Sequence, residues 1–174
     1  MPENLNGPLA ATAPGAAPPA PISRQTYVNW PQMACAALGF ALSLYAYHVH
    51  LLILAGEKTG CAITETISCD QVIGSKYGVV FGIPLGIYGA AFFGVMAIMA
   101  ISSTGNTRAA ALQRLLLALA GGAGSVVLEF IMWALLHHAC PVCMSIHLVC
   151  FVNLGLAVVG YGRVLRAEGR VHAL

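Results

Sequence analysis

Six cysteines occur in this chain of 174 residues, and four of them form two pairs whose spacing suits thiol chemistry. Cys61 and Cys69 stand in a polar stretch with seven residues between them, and Cys140-Pro141-Val142-Cys143 opens an apolar segment. In a Cys-x-x-Cys at a helix start, the i, i+3 spacing puts both sulfurs within bonding reach. The partial positive charge of the helix N-terminus stabilises a thiolate there. Such a pair can cycle between dithiol and disulfide, and Pro141 suits the first helical turn, where its missing N–H costs nothing. A thiolate attacks a disulfide only at contact distance, through a mixed intermediate, so two pairs on one membrane face can relay a disulfide between them. Other chemistries compete with this one. Zinc takes four N or S ligands, which Cys61, Cys69, Cys140 and Cys143 formally supply, but structural zinc usually joins two short knuckles and the first spacing is too wide. Attached c-type haem requires His directly after the second Cys, where Met144 stands. Taken alone, Cys61 and Cys69 also read as a structural disulfide stapling a loop.

The elements that hold these sulfurs are apolar. The chain is 59% hydrophobic and 8% charged, with a mean hydropathy of +0.81, whereas a soluble domain carries about a quarter charged residues. A net charge of +2 without a basic cluster excludes nucleic-acid binding. Four apolar segments follow the N-terminal region, at about Met33–Ala55, Val79–Ile101, Leu112–Leu136 and Cys143–Tyr161. Each is near the roughly 20 residues that an α-helix needs to cross hydrocarbon. Backbone groups cannot stay unpaired in lipid, so the expected fold is an all-α four-helix transmembrane bundle. Its first loop is expected to carry a short amphipathic helix over Cys69–Tyr77, lying across the bundle mouth and bringing Cys69 toward Cys140. Residues 1–30 read as a disordered Ala/Pro-rich tail, with no apolar run like a signal-peptide core. Residues 31–165 form the membrane domain and residues 166–174 a short tail.

Loop charges orient the bundle. Arg24, Arg108, Arg114, Arg163, Arg166 and Arg170 fall on one side. The other side has Lys58 and Lys76, balanced by Glu57, Glu65 and Asp70. Both termini are therefore expected in the cytoplasm, which puts all four paired cysteines on the outer face, where disulfides persist in a bacterium.

The run Cys61…Cys69-Asp70-x-Val72-x-x-Ser75-x-Tyr77, then Phe81-Gly82-Ile83-Pro84, then Cys140-Pro141-Val142-Cys143 within four spans, closely resembles the vitamin K epoxide reductase (VKOR) family in its bacterial branch. The likeness covers residues 33–163, and the pair order separates it from the DsbB-type oxidases. The resemblance implies a multi-pass protein of the bacterial inner membrane that acts as a quinone-linked thiol-disulfide oxidoreductase. It would oxidise a separate periplasmic thioredoxin-fold (DsbA-like) partner and pass the electrons to ubiquinone or menaquinone in the bilayer. Many bacterial members carry a fused thioredoxin-like domain, and here the partner is expected to be a separate protein instead. By the same resemblance Cys61 exchanges with the partner, Cys69 and Cys140 hand over, and Cys143 meets the quinone.

Ser75 stands where the family has a Ser or Thr near the quinone, and two roles remain open for it: a hydrogen bond to a quinone carbonyl, or capping of the short helix. Tyr77 and Phe81 are candidates for the pocket wall or for interfacial anchors. His147, one helical turn beyond Cys143, is a candidate to hydrogen-bond the quinone or move its protons, or else to bond a neighbouring helix. Glu129 is an acid inside a span, which requires a partner or a proton. His137 and His138 flank Cys140 and either tune its thiolate or reach for water. His48 and His50 lie near the outer end of the first span, and no carboxylate pattern accompanies the four histidines to mark a metal site. Cys35 and Cys150 read as buried free thiols, and Cys150 is too deep to bridge Cys143. Two further classes are a VKOR-fold protein dedicated to maturing or reducing one partner, and a non-enzymatic membrane protein with structural or metal-binding outer cysteines.

Overall fold

The computed structural model describes residues 29–61, 64–101 and 107–171, without the side chains of residues 170 and 171. The tail with Arg24 lies outside the described residues. Helix α1 spans Trp30–Leu54, the short α2 spans Cys69–Ile73, and α3 spans Leu85–Ile101. Helix α4 spans Arg108–Phe130 and continues as a π-helix over Ile131–Leu136. Helix α5 runs from Pro141 to Val171. Trp30–Leu54, Arg108–Leu136 and Pro141–Gly169 are long and apolar enough to cross a membrane, and Leu85–Ile101 is apolar but shorter. Leu116, Val126, Val127, Phe130, Leu148 and Val158 are exposed on these helices. An outward surface of this kind suits lipid and not water. The protein is a multi-pass membrane protein, mostly helical.

Three boundaries differ from those expected. The second apolar segment does not become helical at Val79, because Val79 and Val80 pair with Pro84 and Ile83 in a small hairpin, β1 (Val79–Val80) and β2 (Ile83–Pro84). Its turn places Phe81 and Gly82 at φ of 51° and 79°, a left-handed conformation that a helix cannot contain. The short loop helix ends at Ile73 and not at Tyr77, because the Ser75 hydroxyl donates to the Val72 carbonyl at 2.8 Å and closes it. Arg114, read as a loop residue, is buried on α4.

Small residues set the helix spacing. A Cβ on Gly86 would lie 2.7 Å from the Tyr47 backbone nitrogen and 2.8 Å from the Ser43 carbonyl oxygen, so α1 and α3 touch backbone to backbone, as small residues allow in membranes. Gly86→Val is expected to lose about 1–3 kcal/mol from this overpacking, read as a lowered thermal midpoint of the detergent-solubilised protein. An unchanged midpoint would show that α3 can shift without loss. At the other end of the helices the Asn29 N–H donates to the Ala100 carbonyl at 3.0 Å, and Gln32 Nε2 donates to Asn153 Oδ1 at 3.3 Å, joining α1 to α5.

The core has a vertical order. Ala46, Val49, Cys69, Ile73, Met132 and Cys140 form one cluster, with Ile53, Val142, Cys143 and Ile146 packed against it. Phe93, Val149 and Cys150 form a second, and Ala36, Met96, Ala118 and Ala157 a third. The sulfurs of the two pairs therefore sit in the cluster where α1, α2 and α5 meet.

Candidate functional site

Helix α5 begins at Pro141, which puts Cys140 at its N-terminal boundary and Cys143 in its first turn. Helix α2 begins at Cys69, capped by Ser68, whose hydroxyl accepts from the Gln71 N–H at 3.4 Å. What brings the two helix starts together is a backbone clasp. The Ser68 N–H donates to the Ala139 carbonyl at 2.9 Å, and the Ala139 N–H donates to the Thr66 carbonyl at 2.7 Å. The residues after Ser68 and Ala139 are Cys69 and Cys140, and the clasp holds them side by side. The Thr59 hydroxyl donates to the Asp70 carboxylate, tying the preceding loop to α2.

Cys61 and Cys69 form a disulfide, and Cys140 and Cys143 are free thiols. The Cys140 sulfur lies 3.4 Å from Cys69 Sγ and accepts the Cys143 N–H at 3.2 Å. The Cys140 N–H donates to Met132 Sδ at 3.3 Å. Cys69 and Cys140 have 0% exposure, whereas Cys61 and Cys143 are half-buried. The Cys143 thiol first, and then the backbone N–H groups of Cys143 and Val142, hold the Cys140 pKa below that of an ordinary thiol, against burial and the Glu129 charge, which push it up. Cys140 is thus poised as an attacking or leaving sulfur opposite Cys69.

Beneath Cys143 lies a cavity of about 380 Å³ between α1, α3, α4 and α5, within the range of small-molecule sites. Its wall is mostly apolar, with Phe92, Phe93, Leu128 and Ile146, and its polar groups include Tyr77, His50, His147 and Cys143. His147 Nδ1 lies 2.8 Å from Glu129 Oε1, and Trp133 Nε1 donates to Glu129 Oε2 at 3.0 Å. Both carboxylate oxygens are engaged. The intramembrane acid therefore has a partner on another helix, and the histidine both lines the cavity and bonds its neighbour.

The expected pocket residues divide. Tyr77 and His147 line the cavity beside Cys143. Ser75 does not: its hydroxyl donates to Val72 and accepts the Tyr77 N–H at 3.2 Å, so it takes the capping role. Phe81 is 95% exposed at the tip of the hairpin and is not part of the cavity wall, because its positive φ turns it outward from the paired strands. His137 ends the π-helix in a left-handed conformation with φ of 54°. Cys35 donates to the Val149 carbonyl at 3.5 Å, and Cys150 faces the cavity as a free thiol. Sequence reasoning missed the clasp at Ala139 and the Met132 contact. Neither has a motif, since backbone pairing across 71 positions has no residue signature.

A family model described as the vitamin K epoxide reductase family matches residues 30–158. The chain is similar to vitamin K epoxide reductase complex subunit 1 of Rattus norvegicus, 30% identical over 145 residues, covering 76% of this chain and 88% of the relative. It is also similar to the subunit of that name of Mus musculus, 28% identical over 153 residues, covering 81% of this chain and 93% of the relative.

Proposed function

The chain belongs to the vitamin K epoxide reductase family, and we propose that it is an oxidoreductase coupling a thiol-disulfide relay to a membrane quinone. The observation that carries the reading is the buried 3.4 Å approach of Cys69 and Cys140, with Cys143 on the wall of an apolar cavity. Cys61, the more exposed member of the loop pair, meets a separate thioredoxin-fold protein. The partner's two thiols reduce the Cys61–Cys69 disulfide and leave as a disulfide. Cys69 then attacks a Cys140–Cys143 disulfide at Cys140, and Cys61 resolves the Cys69–Cys140 bond, which returns Cys140 and Cys143 as thiols. These two give two electrons and two protons to the quinone and become a disulfide again, and a quinol departs. Each turnover makes one disulfide in the partner and one quinol, and no other oxidant is required.

In this reading four helices cross the bacterial inner membrane. The end bearing Arg108, Arg114, Arg163 and Arg166 is cytoplasmic, and the four sulfurs face the periplasm. Oxidation of the partner, and not reduction of vitamin K epoxide, is the assigned direction, because the outer face of a bacterial membrane is oxidising.

The test is reconstitution. Purified protein in nanodiscs with ubiquinone-1 or menadione is expected to oxidise a reduced DsbA-like protein with one quinol formed per disulfide. Absence of turnover with both quinones, in protein that retains free Cys140 and Cys143, would remove the reading.

A further inference from the structure

The buried polar atoms of α1 remain without a role in the relay. His50 is 6% exposed and Ser43 is 0% exposed. Both line the cavity, and neither His50 Nδ1 nor Ser43 Oγ has a hydrogen-bond partner among the described residues. A buried polar atom without a partner is destabilising, and native structures keep few. One that faces a ligand-sized cavity is satisfied when the ligand arrives.

The level of His50 is fixed by its neighbours. Val49, beside it in the chain, packs in one cluster with Cys140, and Cys143 and Ile146 pack against that cluster. By helix rise, His50 lies about 6 Å below the end of α1, and Cys143 and His147 about 3 and 9 Å below the start of α5. All three side chains line the one cavity, His50 from α1 and Cys143 and His147 from α5. Ser43 lies two turns further along α1, about 10 Å from His50.

Resting on the proposed quinone chemistry, we infer that His50 is a ligand-binding residue whose unpartnered Nδ1 holds one carbonyl oxygen of a para-quinone head in this cavity. The chemistry fits both redox states. A neutral imidazole nitrogen bearing hydrogen donates to a quinone carbonyl, and the unprotonated tautomer accepts from the quinol hydroxyl. Phe92, Phe93 and Leu128 supply the apolar surface for the ring and its tail. A buried, unpartnered imidazole nitrogen also selects the ligand: a quinone ring brings an oxygen that satisfies it, whereas an acyl chain does not.

The experiment compares wild type with His50→Phe, which keeps the ring and removes both nitrogens, and with His50→Gln, which restores a donor. Equilibrium dialysis of ubiquinone-1 and menadione into the nanodisc protein gives affinity, and turnover with a reduced DsbA-like protein gives kcat and KM. His50→Phe is expected to weaken binding and raise KM about ten-fold or more, with kcat within about two-fold, and His50→Gln is expected to recover most of the loss. A second readout needs no foldable Phe variant. In wild type, one carbonyl stretch of bound 13C-labelled ubiquinone-1 is expected to shift down, and in His50→Gln that band is expected to move. Equal affinity in wild type and His50→Phe, or carbonyl bands unaltered by His50→Gln, would overturn the assignment. Binding that depends on His50 without turnover would sink the proposed function and leave the site standing. Turnover with unchanged KM would do the reverse.

Discussion

Cys143→Ala is expected to lower quinone-linked oxidation of a dithiol partner by at least about a thousand-fold, and Cys140→Ala by as much. The two variants part in what they accumulate. In Cys143→Ala the Cys140 thiolate still faces Cys69 at 3.4 Å, so it attacks the Cys61–Cys69 disulfide, forms a Cys69–Cys140 bridge and releases Cys61 as a thiolate. Alkylating that released thiol with N-ethylmaleimide prevents the return step. Peptide mass spectrometry is expected to find the Cys69–Cys140 crosslink with Cys61 alkylated. Cys140→Ala is expected to give no crosslink to Cys69, because the sulfur that approaches Cys69 at 3.4 Å is that of Cys140. A Cys143→Ala protein without the bridge would remove the hand-over between these two sulfurs. The capture also has a pH dependence of known sign. In wild type the Cys143 thiol is the first cause of the lowered Cys140 pKa, and Cys143→Ala removes it while burial, which raises the pKa, stays. Trapping in this variant is therefore expected to fade as pH drops through a Cys140 pKa higher than that of the wild type.

Glu129→Leu is expected to reduce kcat by ten- to a hundred-fold, within the range for an impaired proton transfer, with a smaller change in KM for the quinone. Glu129 touches no sulfur. It is a positioning residue whose oxygens hold His147 Nδ1 at 2.8 Å and Trp133 Nε1 at 3.0 Å. Removing it leaves the ring nitrogen of a buried histidine unpaired, at about 1–3 kcal/mol, and frees the ring to turn from the cavity. Glu129→Gln separates the two effects, because the amide oxygen still accepts one of these bonds but carries no charge. If orientation alone matters, the Gln variant recovers activity; if the carboxylate also moves a proton with His147, it recovers the thermal midpoint but not kcat. Wild-type kcat in Glu129→Leu would show that the pair is only a helix-to-helix tie.

Different physical causes separate what was legible in the chain from what was not. Composition and segment length announced the membrane and its helices, because a bilayer demands about 20 apolar residues in any fold that crosses it by helix. The Cys-x-x-Cys at a helix start was equally legible, since both its spacing and its proline act within one turn. The hairpin over 79–84 was not, because Val79 and Val80 are as apolar as any helix residue and only the left-handed turn at Phe81 and Gly82 excludes them from α3. Ser75 was ambiguous for a related reason. A serine after a short helix can cap or can bind, and the choice depends on whether its hydroxyl finds Val72 at 2.8 Å first.

Local spacing and hydropathy are enough to show that two thiol pairs stand at the mouths of apolar helices, and that the Cys-x-x-Cys begins one. That Cys140 faces Cys69, that Glu129 meets His147 and that His50 opens onto the same cavity as Cys143 depends on the packed helices. Those pairings join residues 71, 18 and 93 positions apart, and they are fixed by a backbone clasp at Ala139 and by glycine-mediated helix approach. Such contacts are set by how the helices pack together, and no single stretch of the chain encodes them.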